Sequence, residues 1–233
     1  MNEFVIHSAP GSPFGRSVLI ALEEKHAAYR LVPVAGASVR SPAYMALHPF
    51  GRVPAIEHGG FRLYETQAII RYIDRVLPRP ALTPGDPQAA GRMDQLMNIN
   101  DWYLFQGVSN VIVFQRILAP RLMGRAPDEA AIAAAMPKAS TVFDELARQL
   151  GERPFFVGNQ ITLADVMLAP QLDFFRLTPE WEPLTAKHAN LRAWLDRMTA
   201  LPSMAATTWE RVTAMACPAP DEASRSGRTT SAA

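Results

Sequence analysis

The sequence predicts a small α/β domain followed by an all-helical one, and three observations carry that expectation. A strand, a helix and a second strand follow one another within about thirty residues near the start. Two extended arms then flank Gly59-Gly60, and strand signals fade beyond a proline-punctuated stretch at 79–87.

Phe4-Val5-Ile6-His7 reads as the first strand. Ser12 to Lys25 reads as a helix with Val18, Leu19, Ala21 and Leu22 inward, and Tyr29 to Val34 as the second strand. A βαβ unit of this kind is normally a right-handed parallel crossover. The arms around Gly59-Gly60 add a hairpin, and Gln67 to Leu77 a helix that closes a domain spanning 1–78. Pro80, Pro84 and Pro87 mark 79–87 as a linker. The helical domain is expected over 88–217. Its first run, Gln88 to Leu118, carries apolar residues at helical spacing with Asn100 as a polar break. Asp128 to Leu150 does likewise, and Pro137 inside it predicts a kink or a break. Thr162 and Asp165 stand at capping-box spacing ahead of another apolar helix. Pro218 to Ala233 has almost no large apolar side chain and reads as a disordered tail.

Composition narrows the function classes. The chain has 233 residues, 48% of them hydrophobic, enough to bury a core as one or two domains. A net charge of +1 with acids and bases interspersed argues against a nucleic-acid partner. No segment reaches the roughly 20 apolar residues that span a bilayer, and the start lacks a secretory pattern. One cysteine, Cys217, cannot form an internal disulfide and fits a reducing, cytoplasmic setting. The five histidines are scattered, with no metal-ligand spacing, so no metal is expected.

The most informative stretch is Phe50-Gly51-Arg52-Val53-Pro54-Ala55-Ile56 together with Glu65-Thr66. Pro54 has no N–H to donate and belongs at a strand start or edge. A cis Val53–Pro54 bond would turn the N–H and C=O of Val53 outward, where they could pair with a peptide backbone. Thr66 opens a helix, where a hydroxyl and free N–H groups favour a carboxylate, and Glu65 could take the matching ammonium. The stretch therefore fits a small peptide with a zwitterionic end.

On these residues the chain resembles the cytosolic glutathione transferases, which place a cis-proline loop and an acid-hydroxyl pair on a thioredoxin-like domain followed by an all-helical domain. Glu65-Thr66 stands where Glu-Ser is commoner. The box at Thr162 and Asp165 and the helix around Trp194 resemble the family's second domain, so the likeness runs from about Phe4 to Trp209. It implies glutathione as co-substrate, a small hydrophobic electrophile as partner, a homodimer and a detoxifying role.

A transferase of this kind must present the glutathione thiol as a thiolate, the nucleophilic form. Shifting a thiol from about 8.5 to below neutrality takes roughly two pKa units, about 2.7 kcal/mol. One hydroxyl donor supplies about 1.5 to 3 kcal/mol and a helix N-terminus somewhat less. Ser12-Pro13-Phe14 resembles the serine-type opening of the first helix in the plant tau class and related bacterial members, which makes Ser12 the implied catalytic donor. The alternative is that Ser12 only caps the helix, with Ser8 as the main competing donor and Ser17 a weaker one. No tyrosine precedes Tyr29 and no cysteine lies in this loop, which disfavours the tyrosine- and cysteine-type classes.

Arg40 lies where phi and tau members carry a basic residue for the glycine carboxylate, although Val39 stands where the phi class often has histidine. Arg52 is a second candidate, and Phe14 a candidate lining residue. Trp102, Tyr103, Phe105 and Gln106 are the candidate electrophile pocket, with packing in the core as their alternative. The leading reading is conjugation of the thiolate to an electrophile, with hydroperoxide reduction as a companion activity. The other is a non-catalytic module of the same family used for binding or assembly.

Overall fold

The computed structural model describes residues 3–34 and 36–216. The expected tail and Cys217 lie outside the described residues. The first domain is thioredoxin-like: β1 (Phe4–Ser8), α1 (Pro13–Glu24), β2 (Tyr29–Pro33), a short α2 (Pro42–Met45), β3 (Ala55–His58), β4 (Phe61–Tyr64) and α3 (Thr66–Val76). The sheet order is β2-β1-β3-β4. β1 runs parallel to β2, with Phe4 opposite Tyr29, and antiparallel to β3, which pairs with β4 as the hairpin.

α1 is held between two neighbours. It packs on α3 beside the sheet and on a helix of the second domain, α8 (Leu163–Phe175). All five residues Val18 to Leu22 are buried as a result, including Ile20, which the one-sided reading leaves out. A helix covered on both sides has no face to spare for polar groups.

The connection between the domains is fixed by a buried ion pair. Lys25, just past α1, donates to Asp74 of α3 at 2.5 Å and also to the carbonyl of Pro80. Asp74 takes the Leu82 N–H at 2.9 Å as well. Burial alone would raise the Asp74 carboxyl, but Lys25, Thr83 and the Leu82 N–H together hold it below the ordinary aspartate value.

The second domain is all-helical: α4 (Pro87–Ile99), α5 (Asn110–Val113), α6 (Ala119–Met123), α7 (Glu129–Leu150), α8 (Leu163–Phe175), α9 (Trp181–Thr185), α10 (Ala189–Thr199), α11 (Pro202–Ala206) and α12 (Trp209–Ala216). Between α4 and α5 the winding widens to π geometry from Asn100 and breaks at Gln106 and Gly107, where φ of Gly107 is 79°. The interruption thus falls at a glycine able to take that conformation, whereas Asn100 is buried within the winding. Asn110 closes the bend by accepting from the Gly107 N–H at 2.6 Å.

Pro137 neither breaks nor divides α7, which continues through it to Leu150. Pro137 and Ala133 are both exposed, so the carbonyl that loses its partner lies on the solvent side. α8 is the core helix, buried from Leu163 to Leu172. At its start Asp165, fully buried, accepts from the Thr162 N–H and hydroxyl, the Phe156 N–H and the Trp194 indole at 2.8–3.0 Å. The capping reading is met, and the same carboxylate also pins the preceding loop and α10. Among the described residues no helix is long and apolar enough to cross a membrane, and no His/Cys/Asp/Glu group could hold a metal ion.

Removing either half of the Lys25–Asp74 pair leaves a buried charge without its counterion. Asp74→Ala and Lys25→Met should each lower unfolding free energy by about 3 kcal/mol in urea titrations. The double variant should lose clearly less than the sum, and additive losses would refute the coupling.

Candidate functional site

A cavity of about 400 Å³ opens between the two domains. Val53, Pro54, Arg52, Glu65, Thr66 and Phe14 line it from the first domain, and Trp102, Phe105 and Gln106 from the second. Nine of the residues singled out from the sequence therefore share one cavity. Ser12, Arg40 and Tyr103 do not line it: Ser12 faces a neighbouring cavity across the same turn, and Tyr103 is exposed.

The loop that carries Val53 is held from below. Tyr44 donates to the Arg52 carbonyl at 2.7 Å, and burial pushes its phenol up to about 12. The Val53–Pro54 bond is cis. Among the described residues neither the N–H nor the C=O of Val53 has a backbone partner, so both remain for a ligand. Arg52 is exposed at the cavity, whereas Arg40 lies against Gly51. A Cβ at Gly51 would sit 3.0 Å from the Arg40 Nη1.

Glu65 adopts φ 72°, a conformation that ordinarily favours glycine and costs about 1–3 kcal/mol for another residue. It directly precedes α3, so Thr66 and the free N–H groups of the first turn face the cavity together. Across from Glu65 stands Asp101, one of four lining residues the sequence reading missed, with His48, Gln67 and Asn98. Gln67 donates to Asp101 at 2.7 Å, bridging the domains. Burial raises the Asp101 carboxyl, and the charge of Glu65 acts in the same direction. Two carboxylates on one cavity, one of them held above its ordinary value, make a site for an ammonium group. His48 is buried among Tyr64, Tyr44 and Phe50, and burial lowers its pKa. Its imidazole is therefore neutral at pH 7.

The three serines of the first helix region differ sharply in position. Ser8 is 1% exposed and lines neither cavity, and its Oγ lies 1.9 Å from where a Gly15 Cβ would stand. Ser17 is buried and donates to the Pro13 carbonyl at 3.2 Å. Ser12 is half-buried at the helix start, where its Oγ accepts from the Gly15 N–H at 3.2 Å. That cap uses an oxygen lone pair and leaves the hydroxyl proton free to be donated. Capping and thiolate donation by Ser12 are thus compatible. Phe14, two residues on, meets Phe105 edge-on at 4.8 Å and joins the helix start to the second domain.

Comparison with known proteins agrees with this architecture. Residues 6–81 match the glutathione S-transferase N-terminal domain and residues 129–197 the glutathione S-transferase C-terminal domain. A glutathione S-transferase of Hyoscyamus muticus is 30% identical over 203 residues, covering 85% of this chain and 94% of the relative. Glutathione S-transferase 3 of Zea mays is 30% identical over 231 residues, covering 96% and 100%. Among solved structures, the theta-class glutathione S-transferase of Xanthomonas axonopodis pv. citri, determined with glutathione bound, superposes with a TM-score of 0.78 at 28% identity, over 88% of this chain and 96% of that one. With both domain types matched in order and full-length relatives at this identity, the chain belongs to the glutathione S-transferase family.

Proposed function

We propose that this protein binds glutathione in the interdomain cavity with its sulfur at the edge formed by the Ser12-Pro13-Phe14 turn, where the Ser12 hydroxyl reaches across to hold it as a thiolate, and transfers it to a small hydrophobic electrophile. The observation that carries the reading is the unpaired N–H and C=O of Val53 in one cavity with Glu65, Asp101 and the Thr66 helix start. Each feature answers a different part of the tripeptide. The Val53 peptide groups pair with the cysteinyl backbone as an added strand would. Thr66 and the α3 N-terminus take the γ-glutamyl carboxylate, and Glu65 with Asp101 the ammonium. Arg52 takes the glycine carboxylate, because it lines the cavity and Arg40 does not.

The chemistry needs no side-chain base. The thiol proton leaves to solvent, and the Ser12 hydroxyl donates to the sulfur anion, which then attacks an electrophilic carbon. Trp102, Phe105 and Gln106 offer apolar and polar surface to that second substrate. Hydroperoxide reduction by the same thiolate is a companion activity. A homodimer belongs to this reading: Phe50, Phe61, Trp102 and Tyr103 stay 48–65% exposed, more large apolar surface than a lone domain needs to show. So does a cytoplasmic setting, where glutathione is reduced. A purely non-catalytic module is the weaker reading, since it has no use for a free hydroxyl proton at the helix start.

Glutathione titration followed by thiolate ultraviolet absorbance tests this directly. Wild type should bind glutathione and ionise it near neutral pH, and absence of binding would end the enzyme reading. Ser12→Ala should still bind but lose roughly 10- to 100-fold in kcat/KM toward an aryl halide, with ionisation moved up by about one to two pKa units. Normal ionisation in that variant would assign activation to another group. A panel of aryl halides, epoxides and hydroperoxides then separates conjugation from peroxide reduction.

Asp101 provides a pH test. Its folded pKa is raised, so the bare protein carries a destabilised carboxylate at neutral pH and regains that stability as pH falls through the raised value. An incoming ammonium favours the ionised form. Glutathione affinity should therefore weaken as pH drops through that range, and Asp101→Asn should bind roughly fivefold more weakly at pH 7 with a flatter pH profile. An unchanged profile would remove Asp101 from the site.

A further inference from the structure

One peptide group in the second domain has left its helix. Between α4 and α5 the winding is π from Asn100 onward, and it breaks at the unit that joins Gln106 to Gly107. Gln106 stands at φ −70° and ψ 110°, Gly107 at φ 79° and ψ 6°. These are the central values of a type II turn, whose second central position calls for glycine.

Both polar groups of that peptide are taken by side chains. Lys138, on the α7 helix that packs against this winding, donates its ammonium to the Gln106 carbonyl. Asn110 accepts from the Gly107 N–H at 2.6 Å. An α-helix would bond the Gln106 carbonyl to the Asn110 N–H, four residues on, but that N–H reaches back to the Phe105 carbonyl instead. Lys138 therefore competes with the helix for one acceptor, and a bond from a charged donor is the stronger kind. With the Gln106 carbonyl held away, the winding closes over five residues and not four. Gly107 fits this arrangement in a second way, since a Cβ there would stand 3.0 Å from the Lys138 Nζ.

The place of this peptide ties it to the site. Leu104 and Val108, on either side, are fully buried, so a change of winding falls on the three residues between them. Two of those three, Phe105 and Gln106, line the interdomain cavity, and Phe105 meets Phe14 edge-on at 4.8 Å. Tightening the winding would move this pair from its place against the cavity. Asp101, earlier on the same stretch, is held separately by Gln67 at 2.7 Å and Asn100 at 3.0 Å.

We propose that Lys138 and Asn110 are positioning residues for the second substrate: by holding the Gln106–Gly107 peptide out of the helix they fix Phe105 and Gln106 as the wall against which the electrophile is placed. Neither residue lines the cavity, and both are exposed. The assignment rests on the transferase reading for that role, though not for the hold on the winding.

The probe is 1-chloro-2,4-dinitrobenzene, with wild type compared with Lys138→Met, Lys138→Arg and Asn110→Ala. At saturating glutathione, KM for the aryl halide should rise roughly three- to tenfold in Lys138→Met and in Asn110→Ala. The glutathione dissociation constant, measured by calorimetry, should stay within about twofold, because Val53, Glu65 and Thr66 belong to the first domain and Asp101 has its own supports. Lys138→Arg keeps a charged donor and should recover most of the loss. Hydrogen exchange at the Gly107 amide should quicken in Lys138→Met and slow again in Lys138→Arg. Lys138 and Asn110 are exposed, so these variants should fold, and circular dichroism checks that they do. An unchanged KM for the aryl halide, a parallel loss of glutathione affinity, or no recovery in Lys138→Arg would overturn the proposal. If wild type bound no glutathione, the transferase reading would fall by itself, and exchange at Gly107 would still decide whether Lys138 holds the winding: unchanged exchange in Lys138→Met would overturn that as well.

Discussion

The Arg16–Asp173 ion pair is the constraint on which the rest of the site depends. Arg16 lies one turn beyond Ser12 on α1, Asp173 near the end of α8, and their 2.5 Å contact joins the two domains. The other arms of the same guanidinium donate to the Met204 carbonyl at 3.1 Å and to Thr207 at 3.5 Å, so α8 and α11 with its C-cap both close on one side chain. With α1 buried against both the sheet side and α8, the start of that helix cannot move relative to either wall of the cavity. A ligand spanning two domains needs that rigidity, because misplacement of a donor by an ångström discards most of its hydrogen bond.

The parts legible in the sequence were those governed by local rules. Pro54 announced a strand edge, Gly59-Gly60 a hairpin, and Thr162 with Asp165 a helix start, because each rests on backbone geometry within a few residues. What stayed hidden depends on contacts across long separations. Asp101 follows a buried asparagine in an apolar winding, and only the fold brings it to Gln67 and Glu65. His48 looked like one scattered histidine among five, yet aromatic side chains from three segments bury it beside the cavity. Ser8 and Ser12 could not be ranked from spacing, since the difference is whether Gly15 leaves room: it lets Ser8 sink behind α1, out of reach of both cavities. Gly107 was a readable signal, a glycine inside a long helical pattern, and the bend falls there and not at Asn100, where the polar break was expected. Ile20 was left off the inward face because a periodicity argument assumes one covered side, and α1 has two.

The two cavities on either side of the turn use their carboxylates differently. On one side Glu65 and Asp101 bring two carboxylates to the lining, with a raised Asp101 reporting their mutual cost. On the other, Asp173 is shared by Arg16 and Arg176, and Arg176 also reaches Asp196 at 3.7 Å. Structural and functional roles of the same residues are coupled here. An aspartate that fixes α1 against α8 also holds two of the arginines beside the second cavity.

In the proposed reaction the helix cap bears directly on how Ser12 would act. Its oxygen accepts from the Gly15 N–H at 3.2 Å, which favours one rotamer and leaves the hydroxyl proton to be donated. A donor immobilised in this way loses little side-chain entropy when an anion arrives, so more of the interaction energy goes into lowering the thiol pKa. A serine on a flexible loop would have to be ordered first. On the proposed chemistry the cap and the donor are one feature: the bond that starts the helix also holds the Ser12 oxygen, in the turn that puts Phe14 on the first cavity and Ser12 on the second.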